Sequence, residues 1–256
     1  MGIDDSLLAP EAARPHRSPS GARLQPMADV TKTLTEHTWP DLASMDVPPV
    51  LVLPLGSTEQ HGPHLPLDTD SRIAVAVAER AAATRTGVAV APVLSYGSSG
   101  EHAGFPGTLS IGQDALELVL VELVRSADAF AGVVFVCGHG GNASPVRRAT
   151  ATLRSEGRRV GAWFPNVVGG DAHAGRTETS IMLVLDPTAV RSDRIAAGAT
   201  APLGELMPAL QRGGVRSVAP NGVLGDPNGA SVEEGRRLLA TLTDDLGALI
   251  DGLAEG

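Results

Sequence analysis

Two short apolar runs constrain this chain most, because each ends abruptly at a polar, glycine-rich break. Val50, Leu51, Val52, Leu53 and Leu55, interrupted only by Pro54, lead straight into Gly56-Ser57-Thr58-Glu59-Gln60-His61-Gly62-Pro63-His64. Gly132–Cys137 breaks at once into Gly138-His139-Gly140-Gly141-Asn142. Runs this short and apolar throughout predict strands buried on both faces. Both breaks then lie at strand C-terminal ends, where open α/β sheets bind ligands.

Helical periods fill the intervals. Asp68 or Thr69 is predicted to cap a helix running to about Thr84, with Ile73, Ala74, Val77, Ala78 and Ala81 on one face. Val88–Val93 reads as a second strand, Gln113 to Ala127 as a helix, the stretch after Asn142 to about Glu156 as another, and Val160–Phe164 as a fourth strand. Thr179–Leu185 fits a helix or a strand equally, and 190–220 shows no readable period. Ser231 with Glu234 three residues on predicts a capping box opening a terminal helix that reaches Leu253. Strands alternating with helices predict βαβ units and a mostly parallel sheet covered on both faces, an α/β fold. Residues 1–30, rich in Pro, Ser, Ala and Arg, read as a disordered N-terminal arm, and 31–256 as a single α/β domain.

Composition excludes several functions. A net charge of −9 argues against nucleic acid as a partner, since phosphate binding needs clustered Lys and Arg. No apolar run approaches the roughly 20 residues of a membrane span, and the N-terminus lacks the basic-then-apolar order of a signal peptide. A single cysteine, Cys137, precludes an intrachain disulfide and suits a reducing compartment, so a cytoplasmic protein is expected.

The chemistry-bearing residues cluster at the breaks. Glu59 and His61 are spaced i, i+2, which on extended backbone points both to one side. Asp70 follows near a predicted helix start. Carboxylate oxygen and imidazole nitrogen together suit zinc, manganese or iron(II). Taken singly, each residue could be a helix cap or a solvated loop side chain; the three together after a buried strand favour a metal. His139 between glycines fits a core or turn histidine where the backbone can approach another group closely, or a weak phosphate cradle at a helix N-terminus. His173 and Glu178 precede the Thr179 run, and Glu101-His102 read as an exposed acid and imidazole in the Ser95–Gly107 loop, long enough to be functional. Ser57 lacks the G-x-S-x-G context of a serine hydrolase, and Cys137 reads as a buried strand residue.

Gly56-Ser57-Thr58-Glu59-Gln60-His61-Gly62-Pro63-His64-Leu65-Pro66 closely resembles the signature of the creatininase family. Phe105–Ser110, Gly138–Asn142, His173-Ala174-Gly175 with Glu178-Thr179-Ser180, and Gly222-Val223 with Gly225-Asp226-Pro227 match in the family's order. The resemblance implies a three-layer α/β/α creatininase-like fold, a homo-oligomer (trimer or hexamer), and one or two divalent ions per chain, Zn, Fe or Mn. It implies Glu59, His61, Asp70, His139 and Glu178 as metal ligands, with Asp70 bridging. It also implies catalytic roles for Glu178 and for His173, which would protonate the leaving nitrogen, with His102 as second choice or substrate contact and His64 orienting a ligand. Gly141 stands where creatinine-cleaving members carry Glu, and no aromatic substrate clamp is evident, so a different small amide or a peptide is expected. The Ser98–Gly107 and His173–Glu178 segments look most like the group of the family that serves the mycofactocin system, which trims a radical-modified precursor peptide and releases its crosslinked C-terminal Val-Tyr piece.

Overall fold

The computed structural model describes residues 33–255, so the expected N-terminal arm lies outside the described residues. A short helix α1 (Trp39–Ala43) precedes the first strand, β1 (Val50–Leu55). Then follow α2 (Thr69–Ala83), β2 (Val88–Val90), α3 (Gln113–Arg125), β3 (Gly132–Cys137), α4 (Ala143–Ser155), β4 (Val160–Trp163), α5 (Arg176–Leu185), α6 (Leu203–Val218) and α7 (Val232–Glu255). The strands form one four-stranded sheet in the order β2-β1-β3-β4, every pairing parallel.

Strand alternation sorts the apolar side chains into two layers. Val50, Val52, Val134 and Val136 face α2, α5 and α7, packing on Val77, Ile181, Leu242 and Ile250. Leu51, Leu53, Leu55, Val133 and Phe135 face α3 and α4, packing on Leu116, Leu120, Val146 and Leu153. Each fully buried Leu, Ile or Phe contributes about 1.5–3 kcal/mol, so the α/β/α sandwich is held mainly by these two aliphatic layers. The expected three-layer fold with a parallel sheet is thus the observed one.

Pro54 lies in a strand flanked on both sides, a place where proline would normally break a ladder. Here it does not. The Ala91 N–H donates to Val52 and the Leu94 N–H to Pro54, so the nitrogen of residue 54 faces β2's side beyond that strand's end. The β1–β3 ladder therefore runs on through Pro54, which lies opposite Val136. β2 stops at Val90, short of the expected Val93, because the bond that follows Ala91 to Val52 comes from Leu94 and not from Val93, a step of three residues against two in β1 that ends the regular register.

Other differences also have physical causes. The Thr179–Leu185 ambiguity resolves to helix, which begins earlier, at Arg176, because the Asp171 carboxylate accepts the backbone N–H of Arg176 and, at 2.9 Å, of Thr177. The unreadable 190–220 stretch holds α6, whose pattern is broken by Pro208 and by a kink at Gly214 (φ +65°). The Ser231 capping box is half made. Ser231 Oγ accepts the Glu234 N–H at 3.2 Å, but Glu234 itself binds Arg176 and Ser180 on α5. Asp68 stands at the N-cap of α2 as expected, but its side chain makes no capping bond and pairs with Arg72 at 2.8 Å, while Thr69 bonds the Pro66 carbonyl.

The chain order puts β2 and β3 on opposite sides of β1. Between β1 and β3, therefore, lies the switch point at which the sheet's winding reverses, and both glycine-rich breaks open onto it.

Candidate metal centre

Three chain segments meet at that switch point. The exit of β1 brings Glu59, Gln60 and His61, the first turn of α2 brings Asp70, and the exit of β3 brings His139. The approach is close: a Cβ on Gly138 would lie 2.6 Å from the Asp70 carbonyl. The α5 N-terminus adds Glu178, with His173 just before it. The left-handed turn at Ala174 (φ +52°) points that residue's N–H at Glu178 Oε2, 2.6 Å away. Such a turn costs about 1–2 kcal/mol for an L residue, and the charge-assisted hydrogen bond offsets part of it.

The donor atoms form overlapping groups. Glu59, Asp70 and His139 make one, His61, Asp70 and Glu178 a second, and Glu59, His61 and His173 a third; within each, one atom per residue lies within 4.8 Å of the others. Asp70 is the hinge: Oδ1 is 2.9 Å from His61 Nε2, while Oδ2 is 3.1 Å from His139 Nδ1 and accepts Ser57 Oγ–H at 2.7 Å. His61 Nε2 is 3.9 Å from Glu178 Oε2. The outer ring nitrogens are pinned to main-chain acceptors, His61 Nδ1 to the Glu59 carbonyl at 3.1 Å and His139 Nε2 to the Ser98 carbonyl at 3.0 Å. With those hydrogens held outward, His61 Nε2 and His139 Nδ1 are the atoms that would face an ion once deprotonated, the usual arrangement of ligating imidazoles.

Glu59 provides the sharpest test of whether the residues present suit a cation. It is wholly buried, and neither carboxylate oxygen has a hydrogen-bond partner. Its Oε1 instead sits 3.2 Å from His139 Nδ1 and from His102 Nε2, in geometry that makes no hydrogen bond. An ionised carboxylate left so would cost several kcal/mol, and a cation among the three oxygen and nitrogen donors removes that cost. The donor set fits a divalent ion.

Electrostatics agree. Burial pulls the His61 imidazolium down, but Asp70, Glu178 and Glu59 together outweigh it and push its pKa up to about 10. His139 behaves alike: burial opposes, and Glu59 and Asp70 hold it well above its ordinary value. Burial would raise Asp70, yet His61 and His139 keep it well below the carboxylate range. Glu178 is pushed up by burial to about 7, partly countered by His61. The cluster attracts positive charge strongly.

All seven residues singled out in the sequence, Glu59, His61, Asp70, His102, His139, His173 and Glu178, come together here. His102 is not the exposed imidazole expected; it is 3% exposed and pushed down by burial to about 4. Glu101 turns inward too, its Oε1 3.5 Å from His139 Nε2. His64 is buried as well, its Nε2 2.9 Å from Thr179 Oγ1. Cys137 is buried, its thiol pushed up to about 11 by burial. A phosphate at Gly138–Asn142 would meet Glu59, Asp70 and Glu101, and the Asn142 amide is already spent on the Ser98 N–H and the Gly56 carbonyl. Sequence reasoning missed two members: Ser57 as a hydrogen-bond donor to Asp70, and Gln60, an uncharged side chain that gives no signal of its own.

The family model described as creatinine amidohydrolase matches residues 35–250. The mycofactocin precursor peptide peptidase of Mycobacterium ulcerans is 54% identical over 84% of this chain and 86% of its own. Creatinine amidohydrolase of Pseudomonas putida is 30% identical over 74% of this chain and 84% of its own. Among solved structures, a creatininase described as the Mn form superposes with a TM-score of 0.68 at 28% identity, covering 85% of this chain and 96% of its own. A creatinine amidohydrolase of Bacteroides fragilis described as putative superposes at 0.71 with 22% identity, over 90% of this chain and 98% of its own, a likeness of fold. Fold, the order of the motifs and the extent of these matches agree: the chain belongs to the creatininase family.

Proposed function

We propose that the chain is a divalent-metal-dependent hydrolase of C–N bonds whose substrate is the precursor peptide of the mycofactocin system, cleaved to release its crosslinked C-terminal Val-Tyr piece. The buried, unpartnered Glu59 carboxylate carries the metal half of this reading. The similarity to named precursor-peptide peptidases over most of the chain supports the substrate half. In this reading one ion is held by Glu59, Asp70 and His139 and a second by His61, Asp70 and Glu178, the ions being zinc, iron(II) or manganese. Bound there, a divalent ion supplies Lewis acidity at the scissile carbonyl and lowers the pKa of water toward about 7.

The chain's own residues do the rest. Asp70 and Glu59 keep the donor atoms converged, with Ser57 fixing one Asp70 oxygen. His173, buried and held neutral by burial and by the neighbouring His61 and His102, is free to take a proton from the attacking water and hand it to the leaving nitrogen. His102, its Nε2 3.2 Å from Glu59 Oε1, serves beside it as a hydrogen-bond donor. The lone buried cysteine fits a cytoplasmic setting, and a trimeric or hexameric assembly is part of the proposal, to be read by light scattering; no helix among the described residues is long and apolar enough to cross a membrane.

The test is mass spectrometry of the modified precursor peptide incubated with zinc-, iron- or manganese-loaded protein. A peptide shortened by its C-terminal two residues is expected, with no product in chelator. Turnover of creatinine or a formamide with the peptide left intact would overturn the substrate assignment; full activity in metal-free protein would overturn the metal centre.

A further inference from the structure

We propose that Gln60 is a positioning residue that holds His102 and His173 in the same tautomer but oppositely presented, so that one turns an N–H and the other a lone pair toward the Glu59 carboxylate. Gln60 is buried between the two candidate ligands Glu59 and His61. Two main-chain partners fix which end of its amide is which: Oε1 accepts the Gly62 N–H at 2.8 Å, and Nε2 donates to the Gly222 carbonyl at 3.0 Å. Gly222 lies against it so tightly that a Cβ there would come within 1.9 Å of Oε1, at a φ of +82°. The amide cannot flip without giving up both bonds.

Counting hydrogens settles the rest. The amide nitrogen carries two. One goes to Gly222, and the shortest remaining contact is His102 Nδ1 at 2.8 Å, which must therefore accept. The His102 hydrogen is then on Nε2, and that atom lies 3.2 Å from Glu59 Oε1. His173 Nε2 is 2.9 Å from the Gln60 main-chain carbonyl, which can only accept, so His173 also carries its hydrogen on Nε2. No amide hydrogen remains for the 3.0 Å contact between the Gln60 amide and His173 Nε2. The bare Nδ1 of His173 is left facing Glu59 Oε1 at 3.7 Å. Residue 60 thus orients one ring through its side chain and the other through its backbone.

The chemical consequence rests on the hydrolase reading. As the water oxygen bonds to the carbonyl carbon, its proton passes to His173 Nδ1, then to the amine nitrogen as the C–N bond breaks. The His102 Nε2–H meanwhile donates to the carbonyl oxygen as charge develops there. The two rings cannot exchange these parts while Gln60 holds its bonds.

Long-range 1H–15N spectra of zinc-loaded, 15N-labelled protein read both tautomers directly, with His102→Ala and His173→Ala supplying the assignments. Wild type is expected to show the hydrogen on Nε2 of both rings. Gln60→Glu, which puts an acceptor where the amide N–H was, is expected to move the His102 hydrogen to Nδ1 and leave His173 unchanged. Gln60→Met is expected to remove the His102 preference and lower kcat about 10- to 100-fold with little change in KM, the scale of outer-layer ligand partners. A wild-type His102 protonated on Nδ1 overturns the proposal whether or not any variant folds. A shifted His102 signal with wild-type kcat in Gln60→Met overturns its catalytic half. The tautomers are read without substrate, so a protein that shows them and cleaves no peptide refutes the function while leaving the role of Gln60 standing.

Discussion

Loading metal-free protein with zinc at neutral pH should release about two to two and a half protons per chain. The count follows from how the carboxylates treat their histidines. His61, held at about 10, keeps essentially its whole proton at neutrality. His139, well above its ordinary value, keeps most of one. Glu178, near 7, carries about half. Asp70, held low, carries none. Ligating atoms must be deprotonated, so all of these leave when the ions enter. With ordinary values the two imidazoles would hold about a quarter of a proton each and Glu178 almost none, for a total near half. Isothermal titration calorimetry in buffers of different ionisation enthalpy counts the protons from the slope of the observed heat. Because protons compete with the ion, affinity rises with pH, its logarithm climbing about two units per pH unit just above neutrality. Release of one proton or fewer would refute the ligand roles given to His61 and His139 together.

Asp70→Asn removes the oxygen charge common to two donor groups, so elemental analysis should find both ions lost or bound at least 10-fold more weakly; one ion retained at full affinity would refute the bridge. Gly141→Ala puts a Cβ 2.3 Å from Glu101 Oε1 and the Ser98 carbonyl and 2.5 Å from His139 Nε2; it should cost about 1–3 kcal/mol and weaken metal binding, whereas Gly140→Ala, which meets nothing within 4 Å, should do neither. His64 is buried neutral, its pKa lowered by burial and by His61 to about 4. The unfolded chain takes up that proton first, so stability present above the unfolded value of about 6.5 is lost as pH falls toward 4, by about 3 kcal/mol. His64→Gln should flatten that part of the urea-denaturation profile, and an unchanged pH dependence would refute it.

The sheet was legible because its signals are local. The β1 and β3 runs are each apolar throughout and each end at glycine, and their bounds come out as read. Where the determinant is tertiary, the sequence falls silent. The start of α5 is set by Asp171, which caps from outside the normal N-cap position. The lie of α6 depends on a kink and on packing against the Gly100–His102 turn. At the candidate centre the ionisable residues advertise themselves by type and spacing. Gln60 does not, because its part depends on two main-chain partners, one of them 162 residues away at Gly222. His102 looks exposed in a Gly/Ser loop, and only the fold buries it.

One consequence of assembling a centre at a switch point concerns timing. Glu59, His61 and Asp70 are neighbours in the chain, but His139 follows by about 70 residues and Glu178 by about 40 more. In the unfolded chain an ion joining all of them must close both loops at its own expense, so it is a poor nucleus for folding. An ion bound as proposed would enter a sheet already built. It would clasp the exits of β1 and β3 to the first turns of α2 and α5, and would leave only when one of those segments opened. The lifetime of the loaded centre and the protease resistance of its surrounding loops should therefore lengthen and shorten together.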